Sequence, residues 1–353
     1  MPRKITIGLL LAGLLAAVGL GALHTGIYGW EIFVVLPWAL GGLASWLFRP
    51  ATGVGAALLG ALAVAVASSA MLIGGQEGAI CILMSLPLTA PLGALGGWLV
   101  YRGRSSRATA PSGFAAILLL TPATLSWDST AKPDVFRVHS AITIAAPPEV
   151  VWKHVVTFSE LPPPREWWFH TGIAYPKRAR IVGTGPGAVR YCEFSTGPFV
   201  EPIMIWDEPR LLRFRVAANP APMEEWSPYG HLFPKHLHGY LVSKQGEFRL
   251  TQLPGNRTLL EGTTWYQHGL WPSHYWSWWS AAIIHRIHLR VMNHIRALAE
   301  AETLGRMAYE LPKESSRRRG ILTPEGIAAV PPASLWARFP ATNDCRAWPC
   351  RRR

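Results

Sequence analysis

The second half of this 353-residue chain contains several side chains able to act as acids or bases: Glu193, Glu201, Asp207, Glu261 and His268. Glu193 and Glu201 fall on neighbouring strand-like stretches. A carboxylate or imidazole whose pKa is shifted by burial can exchange a proton with a carbonyl substrate. Glu193, Glu201 and His268 are therefore the candidates for catalysis. Alternation along its strand places Glu193 on one face with Tyr191 and leaves open whether that face is a cavity. There is no GxSxG, no P-loop, no dinucleotide fingerprint and no recognisable Cys/His nucleophile pattern. Gly183-Thr-Gly-Pro-Gly187 lacks the Lys-Ser/Thr of a phosphate loop and joins two strands, so it reads as a turn.

Histidines recur at 231, 236, 238, 268, 274, 285 and 288. Zinc needs three or four converging ligands, whereas HxH supplies two at best, and neither HExxH nor CxxC is present. No metal and no cofactor are expected. His294 projects from an apolar helix stripe and reads as a core residue satisfied by a neighbour. The cysteines at 81, 192, 345 and 350 are scattered; the last two could pair only outside the cytoplasm. Ten tryptophans crowd into the stretch from Trp152 to Trp279, enough to build a core or line a cavity for a flat or lipidic ligand. The candidate ligand-binding residues are Trp168, Glu193, Trp206, Phe214, Trp226, His238, Trp265, Tyr266 and Trp276.

Any such site must be held beside a membrane. Residues 5–101 contain only Glu31, Arg49 and Glu77 as charged side chains. The apolar runs between them, 5–23, 30–48, 51–73 and 79–101, each suit a helix crossing roughly 30 Å of hydrocarbon. Basic residues border the first run, the second and the fourth (Arg3, Lys4, Arg49, Arg102, Arg104, Arg107), while the opposite loops carry Glu31 and Glu77. That asymmetry places the N-terminus in the cytoplasm. Residues 109–127 are uncharged and long enough for a fifth span, though Pro111 and Pro122 also fit an interfacial helix. Five spans put the rest of the chain on the extracytoplasmic, periplasmic side; four leave it cytoplasmic. The first 128 residues are thus read as a transmembrane region.

Beyond residue 130 the periodicity changes. Val138, Ser140, Ile142 and Ile144 alternate with polar neighbours as in a half-buried strand, and Pro147-Pro148 opens a short helix. Strand-like stretches follow at 173–182, 188–195, 199–206, 211–217, 239–253 and 257–268, the last two joined by the turn signal Pro254-Gly-Asn256. From about His274 to Glu302, Trp276, Ile283, Ile284, Ile287, Val291, Ile295 and Leu298 form one apolar helical stripe that must pack on a sheet. Residues 219–238, rich in Pro and aromatic rings, read as an ordered loop able to cover a cavity mouth. Residues 305–353 read as a basic, disordered tail.

The opening His139-Ser-Ala-Ile-Thr-Ile-Ala-Ala-Pro-Pro-Glu-Val-Val-Trp152 resembles the first strand and helix of the START-like (SRPBCC, polyketide cyclase/dehydrase and lipid-transport-like) superfamily. Gly183–Arg190, Trp206-Asp-Glu-Pro-Arg-Leu-Leu-Arg-Phe214, the late hairpin and the closing helix continue the likeness over 135–304. The resemblance implies an α+β helix-grip domain, a bent antiparallel sheet around a long C-terminal helix with an apolar cavity between them. It carries little about chemistry, because function resides in sites rather than folds. The expectation is a membrane-anchored domain that binds a hydrophobic small molecule or lipid. The alternative is a cyclase-, dehydratase- or hydrolase-like enzyme on a lipophilic substrate. The net charge of +13 is concentrated in loops and tail that suit anionic lipid, and no nucleic-acid partner is expected. Oligomeric state is not legible.

Overall fold

The computed structural model describes residues 2–104, 110–232 and 234–318. Its apolar runs form α1 (Pro2–Thr25), α2 (Leu36–Phe48, entered through a π-helical turn at Glu31–Val35), α3 (Gly53–Ile73) and α4 (Ala79–Gly103). With α2 counted from Glu31, these four helices are long and apolar enough to cross a membrane. Large apolar side chains such as Leu9, Leu10, Val54, Leu58, Leu62 and Leu83 point outward, as in a lipid-facing surface. Between the helices small residues set the spacing. A side chain at Gly93 would strike Val64 and the Gly60 backbone, and one at Gly96 the backbone of Trp38. Lys4 and Arg102 lie over the Trp46 and Trp98 rings, 5.1 and 5.0 Å from their centroids, and Arg104 donates to the Ser45 carbonyl. The basic residues thereby gather at one end of the bundle.

A further helix, α5 (Ala110–Thr130), meets the start of α2. The Thr121 and Thr124 hydroxyls donate to the Glu31 carboxylate at 3.2 and 2.7 Å, and Asp128 accepts from the Glu31 amide at 3.2 Å.

The soluble part begins at β1 (Val135–Ile144), followed by α6 (Pro148–Val156), β2 (Pro176–Val182), β3 (Val189–Phe194), β4 (Gly197–Asp207) and β5 (Leu211–Arg215). A small hairpin, β6 (Glu225–Ser227) and β7 (Gly230–Leu232), precedes β8 (Leu241–Leu253), β9 (Arg257–His268) and α7 (Ser273–Arg318). The main sheet has seven antiparallel strands in the order β1-β9-β8-β5-β4-β3-β2. Asn256 takes φ 52° in the tight β8–β9 turn, a conformation that Asn tolerates.

The core lies between this curled sheet, α6 and α7. Val291, Met292, Ile295 and Ala299 of α7 pack with Leu212, Leu250 and Leu260 of the sheet and with Val151, Trp152 and Val155 of α6. This is the helix-grip arrangement: a half-barrel holding its C-terminal helix. The tail expected to be disordered over 305–353 is helical in its described part, 305–318, of which 306–318 belong to a second unit. The expected tail beyond 318, with Cys345 and Cys350, lies outside the described residues.

Two segments differ from expectation. Residues 219–238 border the domain's cavity only at Ala221 and Pro222; the rest of the segment turns to the bundle. They fold into the β6–β7 hairpin and a 3-10 turn at Lys235–Leu237, and they dock on the bundle. Tyr229 donates to the Ile73 carbonyl at 2.6 Å, and Lys235 donates to the His24 carbonyl. The first turn of α7 also leaves the sheet. Trp276 packs on Phe33 with ring centroids 4.8 Å apart, in a cluster with Tyr28, because a large apolar ring there finds the bundle as its cover.

Candidate functional site: two cavities around the domain–bundle junction

The grip between sheet and α7 encloses a cavity of about 140 Å³, with Phe194, Phe199, Phe214, Phe248, Ile287 and Val291 on its walls. Its polar lining comes from inward positions of β3, β4, β8 and β9 and from α7. Arg190 is 2% exposed; it pairs with Glu201, and its Nε donates to the Val156 carbonyl at 3.2 Å. The guanidinium sits 5.6 Å from the Phe158 and Phe214 ring centroids and 5.7 Å from that of Phe248. Burial pulls the Arg190 pKa down, but the charge of Glu201 more than restores it. Glu247 is likewise bound, to Arg213 at 2.6 Å and Arg249 at 3.1 Å. His288 bridges Ser140 (Nδ1, 3.0 Å) and Thr264 (Nε2, 2.8 Å). Burial, with smaller contributions from His285 and His139, lowers its pKa to about 4, so the ring is neutral at pH 7. Every titratable wall group named here is therefore engaged by the protein itself.

A larger chamber of about 350 Å³ lies between the bundle helices and reaches the domain. Leu15 and Gly19 of α1, Leu36 of α2, Val64 and Ala67 of α3, and Trp276 of α7 are among its walls. Along α1 the lining runs from Ala12 to Leu23, about 16 Å at 1.5 Å per residue. Its end nearest the domain is polar. Tyr28 donates to Glu77 at 2.7 Å, the other Glu77 oxygen lies 3.5 Å from His236 Nδ1, and His236 Nε2 is 2.9 Å from Cys81 Sγ. Behind them Glu225, fully buried, accepts from the Ile80 and Cys81 amides at 3.2 and 3.1 Å and so caps α4. Burial raises Glu77 to about 7, against the opposing Tyr28 hydrogen bond, and lowers His236 to about 4.

The residues singled out in the sequence are dispersed over this frame. Glu201 and Phe214 line the domain cavity, and Trp276 lines the chamber. Glu193 lies on the outer side of β3, paired with Arg178 at 2.6 Å and Arg180 at 3.2 Å. His268 is buried against Phe136, with parallel rings 4.9 Å apart, and Tyr266 donates toward or accepts from Ser280 at 2.9 Å; neither lines a cavity. Trp206 packs edge-on to Trp152 in the core at 5.6 Å, and Trp168 stacks under Arg286. Trp265 is half-buried on the strand face opposite Tyr266, while Trp226 and His238 are exposed. His294 is half-buried and hydrogen-bonded to the Ser159 carbonyl at 3.3 Å. The Tyr28–Glu77–His236–Cys81 chain was not legible, because its members come from three segments up to 208 positions apart (Tyr28 to His236). The signal that pointed to it is charge: Glu77 is one of only three charged residues in 5–101, and ionisable residues in so apolar a stretch often mark function.

Residues 135–264 match the family model described as polyketide cyclase / dehydrase and lipid transport. Among solved structures, the chain is similar to the Zhui aromatase/cyclase from a Streptomyces species, at 19% identity over 48% of this chain and 96% of that one, TM-score 0.32. It is also similar to norcoclaurine synthase from Thalictrum flavum, at 10% identity over 49% and 99%, TM-score 0.32. A third similarity is to the protein XoxI from Bacillus cereus, at 14% identity over 46% and 94%, TM-score 0.31. No curated protein matches the chain. The match over residues 135–264 and the curled sheet gripping α7 agree: this part of the chain has a helix-grip fold and is similar to the polyketide cyclase / dehydrase and lipid transport family.

Proposed function

We propose that this protein is a membrane-anchored START-like domain that binds a hydrophobic small molecule or lipid taken from the bilayer. The observation that carries the reading is the apolar chamber of about 350 Å³, walled jointly by the bundle and by Trp276, Leu270 and His236 of the soluble part. Ligand pockets generally hold roughly 300–1,000 Å³, so the chamber is of ligand size and the 140 Å³ domain cavity is not. An elongated apolar ligand therefore rests mainly among the helices, with its polar end toward Tyr28 and Glu77. Binding is favoured over a cyclase-, dehydratase- or hydrolase-like reaction in the domain cavity, since Glu201 and Glu247 are held by Arg partners and His288 by two hydroxyls.

The same contacts support a sidedness. The domain docks on the loops around Gly26 and Glu77, at the end opposite the Lys4, Arg102 and Arg104 cluster. α5 starts a few residues after Arg104 and finishes beside Glu31, which supports a fifth crossing and an extracytoplasmic domain. The binding reading is tested by mass spectrometry of lipids extracted from the full-length protein purified in detergent. A reproducible lipophile, lost when Ala67→Trp fills the chamber, is the expected result. Equal recovery from both proteins would overturn it.

A further inference from the structure

Two carboxylates are buried at the junction without a cationic side chain. Glu225 is fully buried and Glu77 is 8% exposed. Among the described residues no Lys or Arg pairs with either; the one ionic contact is that of Glu77 with His236. Elsewhere the buried acids Glu201 and Glu247 each have an arginine, and Glu31 is held by the Thr121 and Thr124 hydroxyls. A buried charge is stable only when paired, and the partner can be a bound cation.

The donor atoms around that missing charge converge. Cys81 Sγ, a His236 ring nitrogen and a Glu225 carboxylate oxygen all lie within 4.8 Å of one another, and Nε2 is the nitrogen 2.9 Å from the sulfur. Behind the imidazole, His236 Nδ1 faces Glu77 Oε2 at 3.5 Å, and Tyr28 holds the other Glu77 oxygen at 2.7 Å. At that distance His236 Nδ1 has no hydrogen-bond partner; a small closing movement would set the Glu77 carboxylate on it, the usual support of a metal-bound histidine. The Glu225 oxygens already accept from the Ile80 and Cys81 amides, so the carboxylate is rigidly oriented and retains lone pairs.

We propose that Cys81, His236 and Glu225 bind a divalent transition metal of the zinc type, with Glu77 and Tyr28 orienting the histidine. Thiolate, imidazole and carboxylate together select zinc over magnesium or calcium, which take oxygen donors. A tetrahedral ion about 2.3 Å from sulfur and about 2.0–2.1 Å from nitrogen needs the two about 3.6 Å apart. The 2.9 Å Sγ–Nε2 separation therefore opens by about 0.7 Å on binding, within side-chain reach. The Cys81 thiol loses its proton to solvent as the metal–sulfur bond forms, so one proton is released for each ion bound. Three protein ligands leave the fourth position free. Cys81, His236 and Glu77 line the chamber, so that position faces the space assigned to the lipophile. The ion also ties the 219–238 segment to the start of α4, joining domain to bundle.

The test is metal analysis of the full-length protein purified in detergent from zinc-supplemented cells, with cobalt exchange as an optical probe. About one zinc per chain is expected, and the cobalt form should show a thiolate-to-metal charge-transfer band. Cys81→Ser abolishes that band, and Glu77→Gln weakens zinc binding by about 10–100-fold while all three ligands remain. Size-exclusion profiles matching the wild type establish that the variants fold. Wild-type protein without zinc and without a thiolate–cobalt band would overturn the assignment, as would a zinc content unchanged by Cys81→Ser. Selective alkylation of Cys81 unaffected by zinc or chelator would assign the cluster to a plain hydrogen-bonded cap and equally refute the site.

Discussion

Replacing Glu201 with leucine removes the carboxylate and strands the Arg190 guanidinium, 2% exposed, among Phe158, Phe214 and Phe248. Breaking one side of a buried pair costs about 3–5 kcal/mol, chiefly because the remaining charge stays desolvated. Removing both charges with Arg190→Met and Glu201→Leu eliminates that penalty. It leaves the Val156 carbonyl without its Arg190 bond, a cost of about 1–3 kcal/mol, partly offset by apolar packing against the three rings. The double variant should therefore lie within about 2 kcal/mol of the wild type, less damaging than the single one. For a domain of this size each kcal/mol moves the midpoint by about 2–4 °C, so the single variant should lose roughly 6–20 °C. Scanning calorimetry of the full-length protein in detergent, following the soluble-domain transition, measures both. The exposed Asp207→Asn change, which breaks the surface pair with Arg210, is the control and should move the midpoint by under about 3 °C. A single variant as mild as that control, or a double variant as damaging as the single one, would refute the reasoning.

Acidification should destabilise the soluble domain through His288. Its folded pKa of about 4 lies below the ordinary value of 6.5, so the unfolded chain binds more protons between those values. Stability is fully present above pH 6.5 and falls toward pH 4 by up to about 3 kcal/mol; His288→Gln should flatten that slope in calorimetric midpoints taken across the window. Gly96→Leu should prevent α2 and α4 from closing, since even a first side-chain carbon meets the Trp38 backbone; the measurement is monodisperse yield in detergent, expected to fall sharply. Trp276→Ala should cost about 3–5 kcal/mol at the junction and release the lipophile, read from calorimetry and lipid recovery.

Most of the fold was legible because it rests on periodicity. The near-absence of charge before residue 102 marked the helices, and the alternation at Val138–Ile144 and the stripe Ile284, Val291, Ile295 marked sheet and gripped helix. The sites were not, for identifiable reasons. Alternation places Glu193 and Tyr191 on one face without saying which face is inward; the curl of the sheet puts Arg190 and Cys192 inside and Glu193 outside with Arg178 and Arg180. Aromatic content named tryptophans as ligand contacts, yet Trp206 is core and Trp226 is exposed, because a large ring serves packing as readily as binding. The docking of 219–238 on the loops between the bundle helices was not legible because that surface lies more than 140 positions away in the chain. Pairings of that range leave no periodic trace.

The central claim is that an apolar molecule occupies the chamber between the bundle helices and the domain. A diazirine-bearing fatty acid in vesicles containing the full-length protein, photolysed and mapped by peptide mass spectrometry, tests it directly. Adducts concentrated on chamber walls, at Leu15, Gly19, Val64, Ala67 and Trp276, and suppressed by Ala67→Trp, are the predicted result. Labelling confined to the outward-facing Leu9, Leu58, Leu62 and Leu83, with the chamber walls unmarked, would contradict it.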